Sequence, residues 1–240
     1  MTQAGTWIHN KTEVPRAFDR IASRYDLATG MSQGYQYDLE ESVRRMHLSG
    51  KEHVLDLCCG TGKSTLACLR YLPEGRVTGV DNSEGMLAVA AEKLRHELEQ
   101  GRVRLSQQDA MQLTFDDQSF DAVFMAYGLR NMPDYEKSVR EIHRVLKPGG
   151  KLCIHDYSLA DHPLAKIYWA ALGYGFIVPF CTLITGTAGI YLYLIKSVMQ
   201  FLRPSEIQNL LEQNGFTDVS IQPHAGWRKP ILHSVIATKR

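Results

Sequence analysis

Two rhythms of apolar residues alternate along most of this chain. Short apolar runs of strand length occupy 52–57, 76–81 and 102–108, and recur in "FDAVFMAYG" (120–128) and "KLCIHDYS" (151–158). Between them lie stretches with apolar residues at helical spacing, 63–72, 83–100, and "DYEKSVREIHRVL" (134–146), which Pro148-Gly149-Gly150 is expected to stop. Upstream, 13–47 reads as amphipathic helix, with "AFDRIASRYDLATG" as a first helix closed by Gly30. Downstream, a helix over 204–214 precedes strands at 216–222 and 231–239, close enough to pair antiparallel. Repeated strand–helix units predict an α/β domain: a parallel sheet, helices on both faces, and a ligand crevice at the carboxyl ends of the strands. Asp56, Asp81, Asp109, Arg130 and Asp156 all fall at or just past those ends.

The rhythm breaks after Asp156. Residues 167–195, "IYWAALGYGFIVPFCTLITGTAGIYLYLI", contain no Asp, Glu, Lys or Arg. A charge-free run of this length is long enough to span a bilayer, which takes about 20 apolar residues. Pro179 and four glycines interrupt it, however, and its aromatics are scattered rather than gathered at the ends. It reads as an apolar lid over a greasy substrate, with contact to a membrane surface. The chain therefore divides into a helical lid (1–48), a cofactor-binding core (49–158), the apolar lid (159–203) and a closing helix with two strands (204–240), within one domain.

Composition narrows the function classes. With 27 Lys and Arg against 26 Asp and Glu, the chain lacks the basic excess of a nucleic-acid binder. Five cysteines, with no C-x-x-C pair, suit a reducing cytoplasmic compartment rather than a disulfide or zinc framework, and no metal site is expected. The opening "MTQAGTWIHNKTEVPRAF" has no signal-peptide core.

Candidate chemistry centres on "LDLCCGTGKST" (55–65). Its Gly62-Lys63-Ser64 ending is that of a P-loop, but Leu57 occupies the first glycine position, so half the phosphate cradle is missing. The dinucleotide pattern G-x-G-x-x-G fails as well, at Thr65. The second strand ends in Asp81, about 20 residues past the glycines, where a carboxylate can accept from both hydroxyls of a ribose. The turn has room for an amino-acid tail, with Asp56 available to its ammonium group. Ribose plus amino acid, without phosphates, points to S-adenosyl-L-methionine.

The strings "VLDLCCGTG", "VDNSEGML", "GLRNMPDYEKSVREIHRVLKPGGKL", "YLYLIKSVMQF" and "NGF", with the opening "AFDRIASRYD", resemble the ubiquinone/menaquinone-biosynthesis C-methyltransferases in order and spacing. The resemblance covers nearly the whole chain. It implies the class I, Rossmann-like methyltransferase fold with seven strands. It also implies methyl transfer from S-adenosylmethionine to a ring carbon of a hydrophobic, prenylated quinol. Methylation of a phenolic secondary metabolite or a lipid amine is the alternative. The chain departs from the family pattern in four places. "QGYQYDLEE" stands where a Gly-x-His-Arg-x-Trp run is usual, and "HDYS" where a strand usually ends Leu-Glu-Phe-Ser. Lys196 replaces an acidic residue, and only Gly226 and His233 survive of a C-terminal Gly-Ile…His region.

Methylating an aromatic carbon requires a neighbouring phenol to lose its proton, which pushes electron density onto the ortho carbon. Arg130 is the expected oxyanion stabiliser, with an ion pair to Asp134 as its competing structural role. Asp156 or His155 would accept the proton. Strand alternation turns the two to opposite faces, and the resemblance favours Asp156. His233 completes the catalytic candidates. For the cofactor, Gly60 and Gly62 form the turn, Asp81 meets the ribose, Asp109 with Ala110 meets the adenine edge, and Asn82 is a further cofactor contact. Met86 packs on adenine, Tyr25 covers the methionine end, and Asp56 and Tyr127 complete the set. The expected partners are a hydrophobic small-molecule acceptor, a membrane surface touched peripherally, and a second copy in a homodimer.

Overall fold

The computed structural model describes residues 11–16, 19, 33–186 and 188–240. Its seven strands are β1 His53–Leu57, β2 Arg76–Asp81, β3 Val103–Gln107, β4 Phe120–Ala126, β5 Leu146–Tyr157, β6 Phe216–Pro223 and β7 Leu232–Lys239. They form one sheet in the order β3-β2-β1-β4-β5-β7-β6. The first five strands pair in parallel, while β7 runs antiparallel between β5 and β6. The strand order turns back between β1 and β4, so the crevice predicted from the strand ends opens there.

Nine helices accompany the sheet among the described residues: α1 Gln33–Arg44, α2 Lys63–Arg70, α3 Glu84–Lys93, α4 Arg95–Glu99, α5 Tyr135–Val145, α6 Pro163–Leu172, α7 Val178–Thr185, α8 Gly189–Gln200 and α9 Pro204–Gln213. Alternation along the central strands feeds two separate apolar layers. Leu55, Leu57, Val123 and Met125 face one layer with Ile142 of α5 and Leu211 of α9. Val54, Ala122 and Phe124 face the other with Leu39 and Val43 of α1 and Ala67 of α2. A third, smaller core of Leu159, Trp169, Ile195, Val198 and Ile231 holds α6 and α8 beside the sheet.

Two element boundaries differ from the sequence reading. The single helix expected over 83–100 breaks at Leu94, which caps α3 with φ −100° and ψ 19° before α4 begins. Pro148-Gly149-Gly150 stops α5 as expected but lies inside the span of β5. Phe120 pairs with Leu146 while Ala122 pairs with Lys151, so the segment between is a wide bulge rather than a loop. Gly149 supplies the required positive φ of 74°. The five cysteines form no disulfide among the described residues. Burial pushes the thiols of Cys59, Cys68 and Cys153 up, which makes them inert packing groups.

Candidate active site

A cavity of about 480 Å³ opens at the carboxyl ends of β1, β2 and β4, roofed by α7, α8 and the N-terminal segment around Lys11. Its cofactor half is built from strand ends. Asp81 terminates β2, and its two oxygens accept from the backbone N–H groups of Gly60 (2.8 Å) and Ser83 (2.9 Å). These bonds fix the carboxylate at the cavity wall with lone pairs left for a diol. Gly60 has φ 53°, and a Cβ there would meet no protein atom within 4 Å, so the turn faces open cavity. Asn82, Met86, Asp109 and Ala110 continue the same wall. Asp109 folds one oxygen back onto the N–H of Met111 at 2.8 Å, holding the turn in place. A ribose, an adenine and an amino-acid tail fit this donor and acceptor set.

Two expected cofactor contacts, Asp56 and Gly62, fall elsewhere. Asp56 is fully buried behind the wall, where Oδ2 accepts from Ser64 Oγ (2.8 Å) and Thr65 Oγ1 (2.6 Å) at the start of α2. It therefore braces α2 rather than meeting an ammonium group. Its Oδ1 has no partner among the described residues, and burial raises its pKa to about 7. Gly62 also lies off the wall. A Cβ there would strike Leu94 Cδ1 at 2.7 Å, so glycine serves close packing of α2 against the break between α3 and α4. Tyr25 lies outside the described residues.

Arg130 sits in a short turn, Leu129–Asn131, beyond β4 and lines the cavity. Its Nε lies 3.3 Å from Asp156 Oδ1 and its Nη1 donates to Ser197 Oγ at 2.6 Å. Nη2 takes no acceptor among the described residues, which leaves one donor edge for a ligand. The expected ion pair with Asp134 does not form. Asp134 instead caps α5, accepting from Lys137 N at 2.9 Å.

Asp156 and His155 do point to opposite faces, and neither reaches the wall. Asp156 is buried behind Arg130, accepting from its backbone N–H at 3.2 Å as well as from the side chain. Burial raises its pKa, against the pull of the guanidinium. It is held against Arg130 and is not exposed to the cavity. His155 is buried behind Tyr127, with Nε2 2.9 Å from the Tyr127 hydroxyl. His233 is also removed from the cavity, buried beside Ser158, whose carbonyl lies 2.9 Å from Nδ1.

Burial depresses the pKa of His233 to about 4. Between the unfolded value near 6.5 and about 4, the unfolded chain binds the extra proton, so stability falls as the solution is acidified through that window. His233→Gln removes this dependence. Its melting temperature relative to the parent is expected to rise between pH 6.5 and 4 and to stay level outside it. The full linkage is at most roughly 3 kcal/mol. A difference that stays constant with pH would place the imidazole in a more exposed setting.

Two wall residues, Lys11 and Tyr35, carried no sequence signal, and they stand beside the expected Tyr127. Lys11 reaches across the fold, donating to Tyr135 Oη at 2.6 Å and to the Met132 carbonyl at 2.9 Å. Burial and the neighbouring Arg130 lower its pKa to about 8. Tyr35 of α1 stacks on Tyr127 at 5.3 Å. Tyr127 itself has φ 55°, a left-handed backbone that costs a bulky residue about 1–3 kcal/mol. Its N–H donates to the His155 carbonyl at 2.7 Å, which holds it there. Lys196 is exposed on α8, away from the wall.

The sequence matches the ubiE/COQ5 methyltransferase family over residues 7–234. This chain belongs to that family. It is 35% identical over 216 residues to a demethylmenaquinone methyltransferase of Lactobacillus johnsonii, covering 87% of this chain and 86% of that one. It is 36% identical over 222 residues to the enzyme of the same description from Lactiplantibacillus plantarum, covering 91% and 92%. A SAM-dependent methyltransferase structure from Aquifex aeolicus shares the fold, with TM-score 0.62 at 18% identity over 94% of this chain and 98% of that one. The protein is an S-adenosylmethionine-dependent methyltransferase, as the glycine turn and Asp81 implied.

Proposed function

We propose that this methyltransferase alkylates a ring carbon of a prenylated quinol of the demethylmenaquinone class, drawing it from a membrane surface. One observation carries the choice of acceptor. The only carboxylates on the described cavity wall are Asp81 and Asp109, both in the cofactor half. The acceptor half presents Lys11 and Arg130 among Tyr157, Trp169, Ile177 and Leu194. Cations in an apolar aromatic slot favour a ring that becomes a phenolate, whereas an amine acceptor would need acidic groups there.

S-adenosylmethionine, held by Asp81, Gly60 and the Met86–Ala110 wall, supplies an electrophilic methyl group. Arg130 holds the ring oxygen through Nη2, at an angle fixed by Asp156 and Ser197. Charge placed there favours the phenolate and raises electron density at the ortho carbon. The roof of α7 and α8 excludes water that would hydrate that oxygen. The deciding experiment supplies the purified enzyme with demethylmenaquinol and methyl-labelled cofactor, then locates the label by mass spectrometry. Label on a ring carbon is expected; label on oxygen or nitrogen overturns the reading.

The helical run Pro163–Ile184 supports membrane contact. It is long and apolar enough to cross a bilayer, with mean hydropathy 1.7, yet only 11% of its window is buried in the fold. Ile167 (65% exposed), Phe176 (59%) and Leu183 (86%) face outward from the helices that roof the cavity. Lying along the surface, these helices would admit the ring while the tail stays in lipid. Burying one such side chain is worth about 1.5–3 kcal/mol. Leu183→Glu is therefore expected to weaken sedimentation with phosphatidylcholine–phosphatidylglycerol vesicles by tenfold or more. Unchanged sedimentation would count against the contact, and resistance to carbonate extraction would mean that the run spans.

A further inference from the structure

Behind Tyr127 the protein buries a connected line of polar side chains that the methyl-transfer site does not otherwise use. His155 Nε2 lies 2.9 Å from the Tyr127 hydroxyl, and His155 Nδ1 lies 2.8 Å from Ser42 Oγ. Ser42 Oγ lies 3.2 Å from His224 Nε2, and Ser234 Oγ bridges the same two groups at 2.8 and 2.9 Å. His224 Nδ1 ends the line 3.2 Å from Asp38 Oδ1. Asp38, Ser42, His155, His224 and Ser234 are each at most 2% exposed. At the outer end Arg228, partly exposed, sits against the other Asp38 oxygen. That guanidinium passes over Gly34, where a Cβ would make it shift. Asp38 and His155 come from the two segments, "QGYQYDLEE" and "HDYS", in which the chain departs from its family's usual pattern.

The hydrogen bonds orient the line. The Asp38 carboxylate accepts, so His224 carries its proton on Nδ1 and its Nε2 accepts from Ser234. The Ser42 hydroxyl also lies 2.9 Å from the Asp38 carbonyl, another pure acceptor, so its proton points away from His155. His155 therefore donates from Nδ1 to Ser42 and accepts at Nε2 from Tyr127. Burial, then the nearby His224, Arg45 and Arg228, keep the His155 imidazole neutral. Tyr127 in turn lines the cavity, next to the turn that carries Arg130.

We propose that Tyr127, backed by His155, takes the hydroxyl proton of the acceptor ring, and that the buried line passes a matching proton to Asp38. This rests on the ring-phenol reading above. The acceptor O–H bond breaks and its proton joins the Tyr127 oxygen, while the Tyr127 proton moves to His155 Nε2. His155 Nδ1 gives its proton to Ser42, Ser42 turns its own from the Asp38 carbonyl to Ser234, Ser234 gives its own to His224 Nε2, and His224 Nδ1 gives its proton to Asp38. Each intermediate group ends with the proton count it began with. One proton has left the acceptor and one has reached Asp38, so a negative charge has moved from Asp38 to the ring oxygen facing Arg130. Once the methyl group is on the ring and the roof opens, the hydrogen of that carbon leaves as a proton to the entering water. The relayed proton then returns to the ring oxygen, which resets both imidazoles.

The test uses Tyr127→Phe and His155→Leu, each checked for melting and for S-adenosylhomocysteine affinity. With 1-naphthol bound to cofactor-free protein, the phenolate absorbance is followed against pH. The parent is expected to shift the ionisation of bound 1-naphthol below its free value, and both variants to return it toward that value. In turnover at pH 7, both variants are expected to lose about 10²–10⁴ in kcat. The loss should shrink toward pH 10, where the phenol ionises unaided, and KM for the cofactor should stay unchanged. A purely structural role would slow the variants equally at all pH values and leave the naphthol titration identical in the three proteins, and that result overturns the proposal. If His155→Leu does not fold, Tyr127→Phe, which removes a single oxygen, decides alone. Label on a ring carbon with indifferent variants would remove the relay and leave the ring-carbon reading standing.

Discussion

Trp169→Ala is expected to loosen the apolar helices while leaving the cofactor half intact. Trp169 is fully buried, its Nε1 donates to the Ile195 carbonyl at 3.1 Å, and its ring lies 5.3 Å from that of Tyr157. With Leu159, Ala165, Ile195, Val198 and Ile231 it forms a core of its own, distinct from the two layers that flank the sheet. Truncating a buried Trp to Ala typically costs about 3–5 kcal/mol. Because that core is separate, the cost should fall on α6 to α8 as a local opening rather than on the whole domain. Hydrogen exchange should speed up across 163–200 alone. Turnover of a prenylated acceptor should drop by roughly two to three orders of magnitude or more, since each 1.4 kcal/mol is tenfold. S-adenosylhomocysteine affinity should hold. A parallel loss of that affinity would show that roof and cofactor wall open as one unit.

That separation also explains which parts of the site were legible in the sequence. The cofactor half is local in the chain. A glycine turn after one strand and an acidic residue after the next sit side by side because parallel neighbours place their carboxyl ends together. Gly60, Asp81, Asn82, Met86, Asp109 and Ala110, which the sequence groups together, all lie on one wall. Asp56 misled because a carboxylate near a glycine turn can face either the ligand or the helix that follows. Here Ser64 and Thr65, one turn into α2, claim it.

The acceptor half is assembled from residues far apart in the chain: Lys11, Tyr35, Arg130, Trp169 and Leu194. No spacing rule relates them. Period-two alternation correctly sent His155 and Asp156 to opposite faces, but it could not show that each stands one residue behind the wall. Asp156 is bonded to Arg130 and His155 lies behind Tyr127. That order follows from the turns beyond β4, where Tyr127 adopts a left-handed backbone that no pattern in the sequence announces.

Arg130→Ala is expected to do two separable kinds of damage. The first is structural: it leaves Asp156 buried without its cation, and breaking a buried pair typically costs about 3–5 kcal/mol of stability. The second is chemical: it removes the only donor edge that Arg130 offers the ring oxygen. Loss of such a transition-state contact costs about 2.7–4 kcal/mol, or roughly two to three orders of magnitude in kcat. Adding Asp156→Asn separates them. An amide has no charge to strand, so the double variant should recover most of the melting temperature and none of the rate. Arg130→Lys makes the same point from the other side. It keeps a charge beside Asp156 but loses the planar fork that serves Asp156, Ser197 and the ring oxygen at once, so it should fold well and turn over poorly. Cofactor affinity should hardly move in any of the three, because Arg130 stands apart from Asp81 and the Met86–Ala110 wall. If the double variant recovers turnover together with stability, Arg130 serves only to neutralise Asp156, and the oxyanion must be held by Lys11, the other cation on that half of the wall.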